Sequence, residues 1–584
     1  MCGIAGIIAA PGTEVNLDAV YAMRQALKHR GPDGEGLYVN GSTALAQTRL
    51  AIIDLATGDQ PLYAPGGIAL VANGEIYNYV ELKREMADAH FATASDCEVP
   101  LHLYRREGLD FAAQLRGMYA IALHDAAEDR LLLARDPFGI KPLYYVVGPQ
   151  GLAFASEPGA LLDAGLSPRR IVPRSRDELL QLQFTTGRDT IFEGIQRLLP
   201  GETLVVSRAR IVERRRIDPL PALPPVQIGE AAALAELEKV LLESVTLHQR
   251  SDVPYGMFLS GGVDSAALLA AMARVNERPV LAYTAGFDRG EAGDERAHAR
   301  AVAGALGAEH VEVEFGEQDF WDLLPRIAAA VDDPAADYAV LPTWKLAERA
   351  AQDVKVVLSG EGGDEIFAGY GRYRSAIRPW WRGGRAMRPR GIFDGLGVLR
   401  QEPTGWRDGI VAAESLSGGK DRNRLQSAQA VDCADWLPND LLVKLDRCLM
   451  AHGLEGRTPY LDPALAAFAY RLPDGLKIRG RLGKYLLRAW LDRAVPVAGA
   501  FTRKRGFTVP VGSWIAARGD RLGPLVAAQP GVAEACDPDA VRRLYGATGK
   551  HAAFACWTLL FYALWHQHHV VGRPAEGDVT AMLE

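Results

Sequence analysis

The chain has 584 residues, 48% of them hydrophobic and 23% charged, with a formal net charge of −7 at pH 7. That length is too great for one ordinary core, so two or three domains are expected, and the acidic balance argues against a nucleic-acid partner. The six cysteines (Cys2, Cys97, Cys433, Cys448, Cys536 and Cys556) are scattered without a CxxC pair, which fits free thiols in a reducing cytoplasm.

The N-terminus lacks a basic region followed by an apolar run, so no secretory signal is expected. From Cys2 to about Arg210, short apolar runs alternate with turn signals. Ile4–Ile8, Ala44–Ala46, Ile68–Val71, Tyr119–Leu123 and Arg130–Ala134 read as strands. Helices are expected over Asp18–His29 and over Tyr79–His90, the second capped by Asn78. Strands with few helices predict a layered α+β domain over residues 2–210.

Asp218-Pro219-Leu220-Pro221-Ala222-Leu223-Pro224-Pro225 carries four prolines in eight residues, which marks a linker, set at 211–228. Beyond it the pattern changes. Helix Glu230–Arg250 leads to strand Tyr255–Leu259, a loop at Ser260, and helix Ala266–Arg274. Strand Val280–Thr284, helix Glu295–Leu306, strand His310–Glu314, helix Thr343–Ala351 and strand Lys355–Leu358 follow. Strands spaced by helices predict a parallel sheet in an α/β domain, 229–584. After about residue 375 the chain reads as mainly helical. Its longest apolar stretch, Phe554–Trp565, is short of the ~20 residues a membrane helix needs and reads as a buried helix.

Two signatures carry chemistry. Met1-Cys2-Gly3-Ile4-Ala5-Gly6 places a cysteine where removal of Met1 leaves a thiol and a free α-amine on one residue. The amine can then act as base for its own thiol. The second signature, Ser260-Gly261-Gly262-Val263-Asp264-Ser265, ends an apolar strand and opens a helix. Glycines there let successive N–H groups converge on phosphate oxygens at a helix N-terminus. No GxxxxGK[ST] loop occurs. A further acidic loop, Ser359-Gly360-Glu361-Gly362-Gly363-Asp364-Glu365, ends the strand Lys355–Leu358. Two such strand-end loops meet at the carboxyl edge of a parallel sheet, which makes Asp264 and Asp364 candidate Mg²⁺ ligands.

The first domain resembles class II glutamine amidotransferases. The resemblance rests on Cys2-Gly3-Ile4, His29-Arg30-Gly31-Pro32-Asp33-Gly34, Arg49–Asp54, Asn73-Gly74-Glu75-Ile76-Tyr77-Asn78, Ser95-Asp96 and Arg135-Asp136-Pro137-Phe138-Gly139. It implies an N-terminal-nucleophile αββα sandwich in which Cys2 attacks glutamine and the Asn73 side chain with the Gly74 N–H holds the oxyanion. It further implies that Arg49 pairs with the glutamine α-carboxylate, that Glu75 and Asp96 hold its ammonium, and that Ile53 lines the same site. Cys97, beside Asp96, reads as a packed thiol; His29 and the Arg135–Gly139 segment read as architectural.

With Val443-Lys444-Leu445-Asp446-Arg447, Leu454–Asp462 and Gly483-Lys484-Tyr485-Leu486-Leu487-Arg488, nearly the whole chain resembles glutamine-hydrolysing asparagine synthetases. That resemblance implies an ATP-pyrophosphatase-type second domain and an ATP-dependent C–N ligase. ATP would lie against Leu259, Ser260, Gly261, Gly262, Asp264, Ser265, Ala285, Ser359 and Gly360. Glu361 would assist adenylation and Lys484 would neutralise developing charge near the phosphates. Aspartate, glutamine and ATP are the implied small-molecule partners, with Mg²⁺, in a cytoplasmic enzyme with a homodimer as the compatible assembly.

The family often carries Glu-Ala-Arg where this chain has Glu455-Gly456-Arg457, and a serine-containing segment where it has Ala336-Asp337-Tyr338-Ala339-Val340. Those departures leave another carboxylate acceptor (a peptide, sugar acid or secondary-metabolite precursor) as the alternative. Ring-closing relatives commonly lose the N-terminal cysteine, and a non-enzymatic regulator would show decay of one motif set. The arginine-rich run Arg372–Arg390 reads as a solvated loop packing Trp380 and Trp381, with a grip on an anionic or polymeric acceptor as the alternative, and Arg503-Lys504-Arg505-Gly506-Phe507 as a late basic segment without an assigned role.

Overall fold

A computed structural model describes residues 2–287, 295–382, 386–418, 421–502 and 509–584. Residues 2–216 form two six-stranded antiparallel sheets. In the first, the spatial order is Ile195–Arg197, Tyr144–Gly148, Gly151–Ala155, Cys2–Ala9, Thr43–Arg49 and Gly34–Asn40. The order in the second is Arg210–Arg216, Glu202–Ser207, Arg130–Arg135, Gly117–Asp125, Ile68–Ile76 and Leu62–Ala64.

Side chains alternate across a strand, so each strand divides its residues between two layers. From Cys2–Ala9, Ile4 and Ile8 meet Val71, Ala120 and Leu133 of the other sheet between the layers. Ala5 and Ile7 face outward onto Val20 and Met23 of helix Leu17–Ala26. On the far side, Leu70, Ala72 and Ile76 pack on Leu101 and Leu103 of helix Val99–Glu107. The result is the expected four-layer αββα sandwich.

The second fold unit has a five-stranded, all-parallel sheet ordered Glu309–Phe315, Leu281–Phe287, Tyr255–Phe258, Val356–Leu358 and Glu455–Arg457. Both faces are covered, as is usual for an all-parallel sheet. Met257, Ala282, Val356 and Leu358 share a core with helices Glu230–His248 and Val263–Val275. Tyr283, Phe315 and Val357 meet Glu317–Ala330 and Val340–Ala350 opposite. The strand order reverses at Tyr255–Phe258, so the loops after it and after Val356–Leu358 flank a switch point, where open α/β sheets form their ligand crevice. The apolar run near the C-terminus lies in the buried helix Lys550–His566. No helix among the described residues is long and apolar enough to cross a membrane.

Several expectations need correction. Residues 211–216, assigned to the linker, belong to the edge strand Arg210–Arg216, which pairs with Glu202–Ser207. Its arginines obscured a strand because an edge tolerates charge on its open face. The helix after Asn78 ends at Glu85, and the Asn78 side chain does not cap it. That amide donates to the Gln114 carbonyl and accepts from Arg116 N–H, tying down a neighbouring loop. Glu455–Arg457 is a fifth parallel strand inside the stretch read as helical; three residues are too short to show a period. Trp381 is 67% exposed, so the loop does not pack both tryptophans. Arg372 and Arg388 instead lie over the ring of Trp436, at 3.9 and 4.7 Å from its centroid. The basic segment at 503–507 lies outside the described residues.

The two units meet over buried ion pairs. Arg30 binds Asp446 in a bidentate pair at 2.8 and 2.9 Å, and Arg197 binds Asp333 at 2.8 and 2.6 Å. Arg447, held by Asp332 of its own unit at 2.7 Å, reaches Glu157 of the first unit at 3.7 Å. Each charge is compensated at hydrogen-bond distance, which buried ions require.

Candidate active sites

Strand parity builds the first site. Cys2 shares its face with Ile4, and Arg49 shares its face with Leu45, so both point between the sheets, and the two residues are direct partners in register. Asn73 and Glu75 share the face of Val71 in the opposing sheet. The Cys2 nitrogen donates to the Asn73 Oδ1 at 3.1 Å. Asn73 is fully buried, and its Nδ2 has no hydrogen-bond partner among the described residues. A buried donor left open beside a thiol is the arrangement that an oxyanion would complete. Arg30 Nε fixes the Cys2 carbonyl at 3.2 Å. Burial pushes the Cys2 thiol up, opposed in part by a Leu50 backbone hydrogen bond and by Arg49.

Arg49 is buried, so it is not a stray surface charge. It donates to the Asp54 carbonyl at 2.5 Å, approaches the Ile53 carbonyl at 3.4 Å, and pairs with the exposed carboxylate of Asp59 at 2.6 Å. Its guanidinium therefore already presents an edge to a carboxylate. Asp96 is held by the Ile76 N–H at 2.6 Å and is pushed by burial to about 6. Burial, then Glu455 and Asp96, push Glu75 well above the usual carboxylate range. Cys97 Sγ lies 3.6 Å from the Gly74 carbonyl, with burial holding it well up as a thiol. Gly74 is required by its neighbours, since a Cβ there would meet the Met118 carbonyl at 2.2 Å. Arg135 and Asp136 bond chiefly to backbone groups of 119, 138–141 and 198.

The second site is a cavity of about 460 Å³ at the switch point. Leu259, Ser260, Gly262, Asp264, Ser265, Ala285, Ser359, Gly360, Glu361 and Asp364 all line it. Gly261 does not; its N–H donates to Glu295 Oε2 at 2.8 Å, so a carboxylate oxygen sits on this glycine-loop donor. The Ser265 hydroxyl bonds the Ser260 hydroxyl at 3.0 Å, which closes the loop on itself. Lys484 is buried under the cavity, hydrogen-bonded to Asp264 and 2.6 Å from Asp364. Both carboxylates converge on the Lys484 ammonium, and they are the donor type that a divalent ion keeping waters and phosphate as its other ligands would take. Gly369 makes room for this cluster, because a Cβ would fall 1.8 Å from Asp364 Oδ1 and 2.2 Å from Lys484 Cε.

Beside Glu361 in the cavity wall, Lys444 lies 3.1 Å from Asp337 and 3.5 Å from Glu361, with Tyr338 on the same wall. Asp337 and then Glu361 hold the buried Lys444 charged against desolvation. Gly456, one of the two departures noted above, is not in this wall. It lets its strand approach helix Leu442–Met450, where a Cβ would meet Leu449 at 2.8 Å. Tyr338 is therefore the departure that shapes the cavity. The sequence reading assigned no role to Lys444, Arg30 or Arg457, although each stood inside a quoted motif. Each has a partner far off in sequence, Asp446 for Arg30, Asp337 for Lys444 and the His248 carbonyl for Arg457, which spacing does not reveal.

The geometry defines a glutamine amidotransferase site joined to a nucleotide site in one chain. The chain belongs to the asparagine synthase family, whose model matches residues 236–567, and a glutamine amidotransferase domain matches residues 1–216. A putative glutamine-hydrolyzing asparagine synthetase of Mycobacterium tuberculosis is 34% identical, with 100% of both chains covered. Asparagine synthetase (glutamine-hydrolyzing) 1 of Bacillus subtilis is 30% identical over 98% of each. Asparagine synthetase B of Escherichia coli is 30% identical over 88% of this chain and 83% of that protein.

Proposed function

We propose that the protein makes asparagine from aspartate, with glutamine as nitrogen donor and ATP as the activating substrate. The observation that carries this reading is the pairing, in one chain of this family, of the Cys2–Asn73 site with the Asp264–Asp364–Lys484 site. The glutaminase unit is 2–210, extended by its edge strand, and the synthetase unit is 229–584.

Cys2 loses its proton to its own α-amine and attacks the glutamine amide carbon. Asn73 Nδ2 and the Gly74 N–H hold the oxyanion, the α-ammonium returns the proton to the amide nitrogen so that ammonia leaves, and water releases glutamate from the thioester. Arg49 orients the substrate carboxylate with Ile53 beside it, and Asp96 and Glu75 take its ammonium. In the second site, the aspartate side-chain carboxylate attacks the α-phosphorus of ATP and expels pyrophosphate. Leu259–Gly262, Ser265, Ala285 and Ser359-Gly360 hold the nucleotide, while Lys484 offsets charge on the departing phosphates. Mg²⁺, if held by Asp264 and Asp364, supplies further charge neutralisation there. Glu361 and Lys444 position the acceptor. Ammonia then displaces AMP to give asparagine. Close acceptor analogues should be rejected strongly, because a polar site leaves its groups unpaired when one partner is missing.

All six cysteines are free and buried, in keeping with a cytoplasmic setting. The homodimer belongs to the same proposal and is tested by molar mass in solution. The test of the reaction is purified protein given ATP, Mg²⁺, glutamine and aspartate: asparagine, glutamate, AMP and pyrophosphate should form in equal amounts. A glutaminase that aspartate does not stimulate to form AMP would move the assignment to another carboxylate.

A further inference from the structure

Arg457 lies outside both reaction centres, yet it touches the frame of each. Its carbonyl accepts the Ser359 N–H at 2.8 Å, so its strand fixes the start of the second nucleotide loop. Its guanidinium, fully buried, turns the other way, toward the glutaminase unit. Nε binds Glu455 at 2.6 Å, and Nη1 donates to the His248 and Arg250 carbonyls at 2.9 and 2.6 Å. Nη2 faces Glu75 Oε2 across 3.5 Å, and neither atom has a hydrogen-bond partner among the described residues.

The turn that Arg457 holds is itself docked on the glutamine site. Asp252 Oδ2 accepts the Asp54 N–H at 2.7 Å, and the Asp252 N–H donates to the Ile52 carbonyl at 3.0 Å. Asp54 in turn offers its carbonyl to Arg49. Arg250 reaches the Tyr77 carbonyl and Glu81, just past the end of strand Ile68–Ile76. One side chain thus reaches two of the residues proposed to clamp glutamine, Glu75 across 3.5 Å and Arg49 through the 250–252 turn.

We infer that Arg457 is a positioning residue that couples the two sites, so that nucleotide on the Ser359 loop sets the affinity of the glutamine clamp. The inference rests on the proposed glutamine and ATP sites, but it requires no particular acceptor. Its physical content is a rigid link. A shift of the Ser359 loop moves the Arg457 backbone, and its planar head transmits that shift to three hydrogen-bonded partners, Glu455 and the His248 and Arg250 carbonyls, and to the charge of Glu75. Lysine keeps the charge but cannot hold this fork. By linkage, glutamine must change ATP affinity by the same factor.

The test uses the full chain carrying Cys2→Ala, which binds glutamine without consuming it. Calorimetric titrations measure glutamine affinity with and without saturating ATP–Mg²⁺, and ATP affinity with and without glutamine. The expected result is a mutual tightening of at least about five-fold, the low end of ordinary site coupling. Adding Arg457→Lys should bring the ratio to within about two-fold of unity while both ligands still bind. Adding Asp252→Ala, a change at an exposed residue that keeps the test alive if Arg457→Lys does not fold, should cut the coupling as well. A merely structural role would weaken each affinity and leave the ratio intact. No coupling in the Cys2→Ala protein, or full coupling in either double variant, overturns the assignment. Asparagine formation is not read at any point, so this result and the acceptor assignment fail separately.

Discussion

At the scale of single residues, the glutaminase site separates nucleophile, oxyanion donor and clamp. Cys2→Ala should abolish glutamine-dependent synthesis and leave ammonia-dependent synthesis intact, because the thiol acts only in nitrogen release; product analysis with each nitrogen source checks this. Asn73→Ala removes an open buried donor beside Cys2 and should lower glutaminase kcat by about 10²–10³-fold. Asp96 adds a pH dependence. Burial raises its pKa to about 6, so the carboxylate that must face an ammonium is charged above that pH and neutral below it. The KM for glutamine should therefore rise as pH falls through about 6, whereas an Asp96→Asn protein, already weak, should lose that inflection. Much of this site was legible in the sequence, since Cys2, Asn73-Gly74 and Arg49 sit in contiguous motifs. Arg30 was not, because its role is a hydrogen bond to the Cys2 carbonyl and an ion pair 416 residues away.

At the scale of elements, two strand-end loops and one helix start make the nucleotide site. Alternating strand and helix patterns placed four of the five parallel strands, and those strands brought Asp264 and Asp364 together. The fifth, Glu455–Arg457, escaped because its three residues hold two charges, which propensity disfavours in a strand and only a partner in the fold can compensate. In the first unit, the strands Tyr144–Gly148 and Gly151–Ala155 were likewise missed, since a short hairpin adds little periodic signal. Asp264→Asn and Asp364→Asn should each stop synthesis and spare glutaminase, since their site lies across the interface. Gly369→Ala should do the same without altering any reacting group, because its Cβ would displace Asp364 and Lys484. Parallel assays of AMP release and glutamate release distinguish these outcomes from general misfolding.

At the scale of the molecule, the αββα sandwich and the parallel-sheet unit are locked by ion pairs that burial makes costly to break. Removing one partner of a buried pair strands the other charge, at about 3–5 kcal/mol. Arg197→Met should lower the denaturation midpoint accordingly, since Asp333 would keep only the Tyr144 hydroxyl as a side-chain donor among the described residues. None of this interface was legible in the sequence, where Arg197 and Asp333 are 136 residues apart without a shared motif. The central claim is that one chain transfers nitrogen from glutamine to an ATP-activated aspartate. The most direct measurement gives the protein ATP, Mg²⁺, aspartate and glutamine labelled with ¹⁵N in its side-chain amide. The account predicts asparagine carrying the label in its amide, with one AMP and one pyrophosphate per asparagine; unlabelled asparagine, ADP with phosphate, or glutamate release with no aspartate-dependent AMP would contradict it.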